Sequence, residues 1–306
     1  MRSWRSNHMK HLQQILADAE NQLAEAGLRG GFLVRDLDTG TEIGIEPDTI
    51  FPIASLVKVP LALTVLEMIR TGDLDPARTI ELLPENRTPG LTGLCTFQHP
   101  TKVAVFDLVS LALSISDDTA ADALFDICTP RMVDHLMQQL HIPGLRIRHT
   151  IRTLYQTLAE RLAPHEAHLA HTLAIQAGTP GGGHLIPQLD ITQANAGSAR
   201  SFVNLLEQIW IHSAPSPETA FTTQQMMSTN LMRHRLTPDF ATGTSRWASK
   251  TGTFLNLRHE VGVVEHNDGT RFAVAALTES RVPTATQPAA EQTLGHIART
   301  LHDTIR

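Results

Sequence analysis

A chain of 306 residues with 42% hydrophobic and 18% charged residues is long enough to bury a substantial core and too apolar to stay disordered. Its formal net charge is −6, and no dense run of Lys and Arg offers a nucleic-acid-binding surface. Two cysteines, Cys95 and Cys128, are too few for a disulfide framework. We therefore expect a globular protein whose partner is a small molecule.

The first twenty residues contain basic positions but no apolar segment followed by a small-residue cleavage site, so we expect a cytoplasmic protein. No apolar run reaches the roughly 18 to 20 residues that cross a bilayer, and we expect no membrane partner. Among sixteen histidines, His165 and His168 could share a helix face, but no third ligand stands at a recognisable spacing. We expect neither a metal nor another cofactor.

In chain order, the hydrophobic pattern first predicts a helix over residues 12–26, ended by Gly27 and Gly30. Two short strands within 30–47 follow, joined at the turn signal Asp38-Thr39-Gly40. An apolar run over 55–69 indicates a buried helix. Because a proline is tolerated only in the first turn, Pro60 predicts that this helix begins close to Ser55.

The middle of the chain is predicted to be helical, and the glycine-rich residues 178–183 a loop or lid. Three antiparallel strands are predicted within 245–280. The further helices are predicted over 105–116, 119–127, 131–139, 151–162, 164–177, 198–210, 217–230 and 289–305.

Strands near both ends of the chain with helices between them indicate an α+β fold. One antiparallel sheet would carry the terminal helices on one face and an all-helical middle on the other. We expect an α/β subdomain from residues 1–54 and 218–306, a helical subdomain from 55–217, and an active site at their interface.

Ser55-Leu56-Val57-Lys58 places a serine and a lysine three residues apart on one helix face. At the helix start the Ser55 N–H is free to help bind an oxyanion. A desolvated Lys58 would favour its neutral form and accept the serine proton. By itself the pair is more simply explained as an N-cap serine beside a lysine that reaches to solvent.

Two further motifs follow in order, Ser116-Asp117-Asp118 at the end of an apolar helix and Lys250-Thr251-Gly252-Thr253 on a strand. With these three motifs the chain resembles class A β-lactamases and penicillin-binding proteins. The resemblance spans about 31–277 and is poor over 142–197. Three flanking segments also resemble the family: Phe51-Pro52-Ile53-Ala54, Thr119-Ala120-Ala121-Asp122 and Val261-Gly262-Val263-Val264.

The resemblance implies three catalytic residues. Ser55 would attack the carbonyl carbon, Lys58 would take its proton, and Ser116 would relay a proton to the leaving nitrogen. The Ser55 N–H would form the oxyanion hole together with that of Thr253.

The resemblance also implies a set of substrate-binding residues. Lys250 and Thr251 would hold a substrate carboxylate or similar anion, and Gly252 would let its strand lie close to the ligand. Asp118 would belong to the same group of residues, and Arg258 is a further candidate.

The chain departs from the family at two places. Asp118 stands where the family usually has Asn. An ionised carboxylate near Lys58 only accepts hydrogen bonds and would hold the ammonium form more tightly, which makes Lys58 a poorer base unless Asp118 points away or is protonated. The glutamate that activates the deacylating water in class A β-lactamases is not found, and Ile186 occupies its expected neighbourhood before Pro187. The candidate substitutes, each more simply explained as a surface carboxylate, are Asp190, Glu160 and Glu166.

These observations predict an active-site serine hydrolase or acyl transferase that forms an acyl-Ser55 intermediate from an amide, ester or β-lactam. A second reading is a class A β-lactamase with another deacylating group. A third is a penicillin-binding sensor module that is acylated at most once. A cell-wall D,D-peptidase is less attractive because no export signal is seen.

Overall fold

The computed structural model describes residues 2–306, with side chains from Met9 onward. The strands are β1 (Leu28–Asp36), β2 (Glu42–Ile45), β3 (Phe51–Pro52), β4 (Thr79–Leu82), β5 (Thr101–Ala104), β6 (Ala196–Gly197), β7 (Ser245–Phe254), β8 (Leu257–His266) and β9 (Arg271–Ser280). The helices are α1 (Arg2–Glu25), α2 (Lys58–Thr71), α3 (Val105–Ser114), α4 (Asp118–Phe125), α5 (Pro130–Gln139), α6 (Ile151–Arg161), α7 (Ala170–Ala177), α8 (Ala199–Trp210), α9 (Pro217–Ser228), α10 (Thr237–Phe240) and α11 (Pro288–Ile305).

A five-stranded antiparallel sheet unites the two ends of the chain. Its strand order is β2-β1-β9-β8-β7, and the central pairing sets Phe32 of β1 against Ala276 of β9. The predicted α+β fold is therefore confirmed: the sheet comes from both chain ends, and helices fill the middle. Two small two-stranded sheets, β3-β6 and β4-β5, were not anticipated from the sequence.

The sheet is buried on both faces, as the alternation along β9 shows. Phe272, Val274 and Ala276 face the cluster that includes side chains of the terminal helices, such as Leu23 and Leu301. The intervening residues of β9 face the larger cluster, which is built from the middle helices. Because successive strand residues point to opposite faces, a continuous apolar strand is what two covering layers require.

Several predicted helices have different ends in the structure. The α-helix after Ser55 begins only at Lys58, so Pro60 lies in its first turn, where a proline is tolerated. The helix predicted over 105–116 ends at Ser114, which leaves Ser116 outside it. The segment predicted as one helix over 164–177 is a 3₁₀ stretch, Pro164–Leu169, followed by α7.

Within residues 2–306, no helix combines the length and the apolar character that a membrane crossing needs. The division into subdomains at residues 54/55 and 217/218 stays a prediction.

Candidate active site

Ser55 lies in a 3₁₀ turn, Ala54–Val57, that leads directly into α2. Ala54 has φ = 47°, in the left-handed region that residues with a Cβ rarely adopt. Ser55 is partly exposed, whereas Lys58 is fully buried. The Lys58 ammonium donates a hydrogen bond to Ser55 Oγ over 3.2 Å, so the predicted contact between the two side chains is present.

Gly252 allows β7 to lie directly against this turn. A Cβ at position 252 would stand 2.8 Å from the backbone oxygen of Ile53 and 3.0 Å from Leu56 Cγ. We expected this glycine to admit a ligand, but the close approach seen here is to the chain that carries Ser55.

Ser116 is held in place by its neighbour Asp117. Asp117 is fully buried, and its two carboxylate oxygens accept the N–H groups of Ala120 at 3.0 Å and Leu94 at 2.7 Å. Burial raises the pKa of the Asp117 carboxyl. The first of these bonds caps α4, and Ser116 just before it has φ = 58°. The turn thereby sets Ser116 and Asp118 on the same side of the chain.

The Lys58 ammonium is enclosed by polar partners from this turn. It lies 2.6 Å from the backbone oxygen of Ser116, 3.1 Å from Ser116 Oγ and 2.5 Å from Asp118 Oδ1. The predicted burial of Lys58 is therefore observed together with an ion pair to Asp118. An ammonium group has no lone pair, so Lys58 in this state needs an outlet for one proton before it can act as a base.

Lys250 is positioned to accept that proton through Ser116. Its Nζ lies 2.8 Å from Ser116 Oγ and 2.7 Å from the backbone oxygen of Thr251, and the side chain is fully buried. Burial and the nearby positive charge of Lys58 lower the pKa of Lys250 well below its ordinary value. Hydrogen bonds thus run without a break from Ser55 through Lys58 and Ser116 to an amine whose neutral form is favoured.

The wall that faces Ser55 is apolar. The cavity between Ser55 and this wall has a volume of about 10 Å³. Among the described residues that line it, Asp118 is the only carboxylate, and it is paired with Lys58. The lining residues are Ala54, Ser55, Asp118, Ile151, Leu154, Tyr155, Thr253 and Phe254.

Asp190 does not line this cavity. It is buried, and its carboxylate accepts hydrogen bonds from the Thr192 hydroxyl at 2.7 Å, the Thr192 N–H at 2.9 Å and the Gly183 N–H at 3.2 Å. The bonds from Thr192 lower the pKa of Asp190 to about 2. Its contacts shape the loop 183–192. Of the other two candidates, Glu166 accepts the N–H of Ala163 and Glu160 is exposed.

Arg258 is also absent from the cavity wall. It is buried and donates to the backbone oxygens of Leu257, Thr284 and Ala285 at 2.9, 2.8 and 3.2 Å. These bonds tie β8 to the segment before α11. None of these contacts connects Arg258 to the site, so its suggested role there is unsupported.

Arg235 belongs to the site but was not predicted from the sequence. It is fully buried and donates to the backbone oxygens of Gly252 at 3.1 Å and His259 at 2.8 Å, and to Thr253 Oγ1 at 2.8 Å. Glu291 balances its charge over 3.1 Å. Arg235 thus fixes the position of β7, the strand that carries Lys250, Thr251 and Gly252. No sequence motif identifies Arg235. Thr251 is buried, whereas Thr253 is exposed to solvent and also lines the cavity.

His259 connects the sheet to the chain just before Ser55. Its Nε2 lies 2.8 Å from the backbone oxygen of Pro52, and its Nδ1 accepts the Thr278 N–H at 3.0 Å. Burial lowers the pKa of His259 to about 3, so the ring is neutral and donates through Nε2. It therefore helps to position the serine turn.

The described histidines do not assemble a metal centre. His165 and His168 are both exposed in the 3₁₀ stretch before α7. Across the part of the chain that the structure describes, no group of three or more His, Cys, Asp or Glu side chains is arranged to hold a metal ion. The polar groups around Ser55 are hydroxyls, amines and one carboxylate.

Comparison with known proteins supports the resemblance. Residues 9–305 match the Beta-lactamase enzyme family. The chain is 52% identical to the beta-lactamase regulatory protein BlaB of Streptomyces cacaoi, over 97% of this chain and 99% of that protein.

Solved structures with the same fold include a β-lactamase of Sphaerobacter thermophilus, with a TM-score of 0.74 and 22% identity over 96% of both chains. PBP-A matches with a TM-score of 0.74 and 17% identity over 98% of this chain and 96% of its own, and a mutant of PBP-A has been solved as an acyl-enzyme complex with penicillin G. From the match over nearly its whole length and its 52% identical relative, the chain belongs to the beta-lactamase enzyme family.

Proposed function

We propose that the chain is an acyl-transfer enzyme that forms an ester at Ser55 from an amide, ester or β-lactam and releases the acyl group slowly. One observation carries this proposal. Ser55, Lys58, Ser116 and Lys250 form a continuous hydrogen-bonded chain, whereas the facing wall offers no carboxylate that is free to activate water.

The proton of Ser55 has a complete route. Neutral Lys250 accepts the Ser116 hydroxyl proton while Ser116 takes one from the Lys58 ammonium, and Lys58 then takes the proton of Ser55. Ser55 Oγ attacks the carbonyl carbon, and the carbonyl oxygen becomes an oxyanion. When the carbon–nitrogen bond breaks, the proton returns from Lys250 through Ser116 to the leaving nitrogen.

The oxyanion would be stabilised by backbone N–H groups. Ser55 and Thr253 both line the cavity, and they approach it from opposite elements, the 3₁₀ turn and β7. Arg235 and Gly252 set the distance between those elements. Preorganised donors of this kind act on the charge that develops in the transition state.

Release of the acyl group is the slow step of the proposed reaction. The residues that face Ser55 from α6 are Ile151, Leu154 and Tyr155, and none of them can take a proton from water at neutral pH. Water that attacks without a positioned base forgoes about 10² to 10⁴ in rate. The acyl-enzyme should therefore persist for minutes or longer unless an amine or alcohol acceptor removes the acyl group.

A second candidate function is a β-lactam sensor. A relative 52% identical to this chain is named a beta-lactamase regulatory protein, and a long-lived acyl-Ser55 would suit a signal better than turnover. In that case a β-lactam acylates Ser55 once, and the adduct itself is the output.

Intact-protein mass spectrometry over time, with a β-lactam panel and a fluorophosphonate, tests the proposal and separates the candidates. We expect one adduct per chain that persists in buffer. Faster loss of the adduct with an added amine or alcohol indicates a transferase, and persistence with every acceptor indicates a sensor. Rapid turnover of a chromogenic cephalosporin would instead identify a β-lactamase, and no adduct with any reagent would contradict acyl transfer altogether.

A further inference from the structure

Tyr155, the single tyrosine in the 306 residues, occupies the space in front of Ser55. It projects from α6, and its hydroxyl donates to Asp118 Oδ2 over 3.0 Å. Its ring meets Phe254 edge to face, with 5.6 Å between centroids and an interplanar angle of 83°. One side chain therefore spans the cleft from the helical side to the end of β7.

The hydrogen bond to Asp118 and the contact with Phe254 both hold the Tyr155 side chain in place. Burial and the Asp118 carboxylate raise the pKa of the Tyr155 phenol, so it remains a proton donor at neutral pH. Asp118 accepts this proton donor on one oxygen and Lys58 on the other. Edge-to-face aromatic pairs add a favourable contact beyond the area they bury.

Ser55 is partly exposed and Thr253 is exposed to solvent, but the cavity enclosed between Ser55 and Tyr155 has no room for the acyl arm of a donor. The cavity of about 10 Å³ over Ser55 could hold about one water molecule, whereas small-molecule sites measure roughly 300 to 1,000 Å³. A second cavity of about 680 Å³ is also lined by Tyr155. This groove runs between β4 and α6, and its other lining residues include Ile80, Leu82, Arg152 and Ala159.

We propose that Tyr155 is a gate that determines which acyl donors reach Ser55, an inference that rests on the proposed acyl-transfer function. In the closed state the ring separates the Ser55 cavity from the groove. When the side chain leaves Asp118 and Phe254, the two spaces join. The reacting carbonyl then lies at Ser55, and the acyl arm of the donor extends into the groove.

The test compares two β-lactams that share one bicyclic core. Benzylpenicillin carries an acyl arm and 6-aminopenicillanic acid does not, so the ratio of their acylation rates measures access for the arm. Rates at Ser55 are followed by intact-protein mass spectrometry, with a compact fluorophosphonate as a probe of the serine itself. The variants are Tyr155→Ala, Tyr155→Phe, Tyr155→Ala with Ala159→Trp, and the control Leu158→Ala.

Each variant has a distinct expected result. Tyr155→Ala should speed acylation by benzylpenicillin at least tenfold and change the fluorophosphonate rate less than threefold. Tyr155→Phe keeps the ring but loses the bond to Asp118, so both lactams should react about fivefold faster. Ala159→Trp, added to Tyr155→Ala, should fill the groove and slow benzylpenicillin alone. Leu158→Ala loosens the packing of α6 without touching the Ser55 cavity and should leave the ratio of the two lactams unchanged.

The single tyrosine gives an independent readout. With 3-fluorotyrosine incorporated, the protein has one ¹⁹F resonance, which should shift when benzylpenicillin acylates Ser55. Equal acceleration of both lactams by Tyr155→Ala, or a resonance that does not move on acylation, would overturn the gate while acyl transfer stands. Absence of any adduct with all three reagents in every variant would instead overturn the proposed function and the gate with it.

Discussion

The two walls of the cavity over Ser55 are built from different chemistry. On one side, Lys58, Ser116 and Lys250 are buried or partly buried polar groups, and each has a hydrogen-bonding partner among the others. On the other side, Ile151 and Leu154 present hydrocarbon. In the proposed reaction the first wall forms the acyl-serine, and the second offers no group that would help water to hydrolyse it. Under this proposal, the chain carries the machinery for one half of a double displacement without the other.

The largest effect that tests the polar wall is the loss of its nucleophile. Ser55→Ala should abolish labelling by β-lactams and by fluorophosphonate, because among the described side chains no other hydroxyl both contacts Lys58 and lines the cavity. Mass spectrometry of the intact variant measures the adduct. Ser228→Ala, at an exposed serine on α9, is the matched control and should label normally. Undiminished labelling of Ser55→Ala would place the nucleophile elsewhere.

The next largest effect concerns the proton route. Lys58→Ala should slow acylation at least 10²-fold, since it removes the only amine in contact with Ser55 Oγ among the described residues. The measurement is the pseudo-first-order labelling rate at saturating β-lactam. Lys102→Ala, at an exposed residue of β5, serves as the control. A wild-type rate in Lys58→Ala would assign the base role to Ser116 and Lys250.

A smaller effect, about tenfold per pH unit, should reveal Lys250. Its lowered pKa means that acylation rises with pH up to that pKa and then levels off, below the value of about 10.4 for a free lysine. Lys250→Arg keeps the charge but cannot lose a proton, so its profile should be flat and low. A wild-type rate that is independent of pH over the whole range in which the protein stays folded would contradict the route through Lys250.

The same lowered pKa has a consequence for stability. The folded state binds this proton less tightly than the unfolded chain, so stability should fall as pH decreases from about 10.4 through the folded-state pKa. Lys250→Met should lessen this loss in a series of thermal unfolding measurements. An unchanged dependence on pH would show that other groups dominate.

The smallest effect is expected on the apolar side. Asp190→Asn should leave the lifetime of the acyl-enzyme within twofold of wild type, because Asp190 shapes the loop 183–192 and does not line the cavity. It should lower Tm by about 2 to 4 °C through weaker hydrogen bonds. Mass spectrometry and calorimetry measure the two quantities. A strongly lengthened lifetime would show that Asp190 activates the deacylating water and that the chain is a β-lactamase.

The polar wall could be located from sequence because its residues obey local rules. Ser55 and Lys58 meet through the spacing of a helical turn, and Ser116 follows the end of an apolar helix. The resemblance to a known family then supplied Lys250, which is distant along the chain. The ion pair between Lys58 and Asp118 was expected only if Asp118 points toward Lys58, and the direction in which Asp118 points depends on the turn around it.

The apolar wall could not be located in this way, because long-range contacts place it. The first N–H of α6, at Ile151, binds Asp122 Oδ1 over 2.9 Å, and the chain before it is fixed by Asn195 Nδ2 on the backbone oxygen of His149. No spacing rule connects these residues. From the sequence we expected the facing group near Ile186 and Asp190, whereas α6 supplies it.

The left-handed backbone at Ser116 limits which amino acids this site can exchange over evolution. Threonine carries the same hydroxyl and would serve the proton route equally well on chemical grounds. At φ = 58°, however, a branched Cβ collides with its own main chain, whereas serine tolerates the conformation. The backbone conformation therefore favours serine over threonine at this position, and evolutionary exchange between the two hydroxyl amino acids is blocked here.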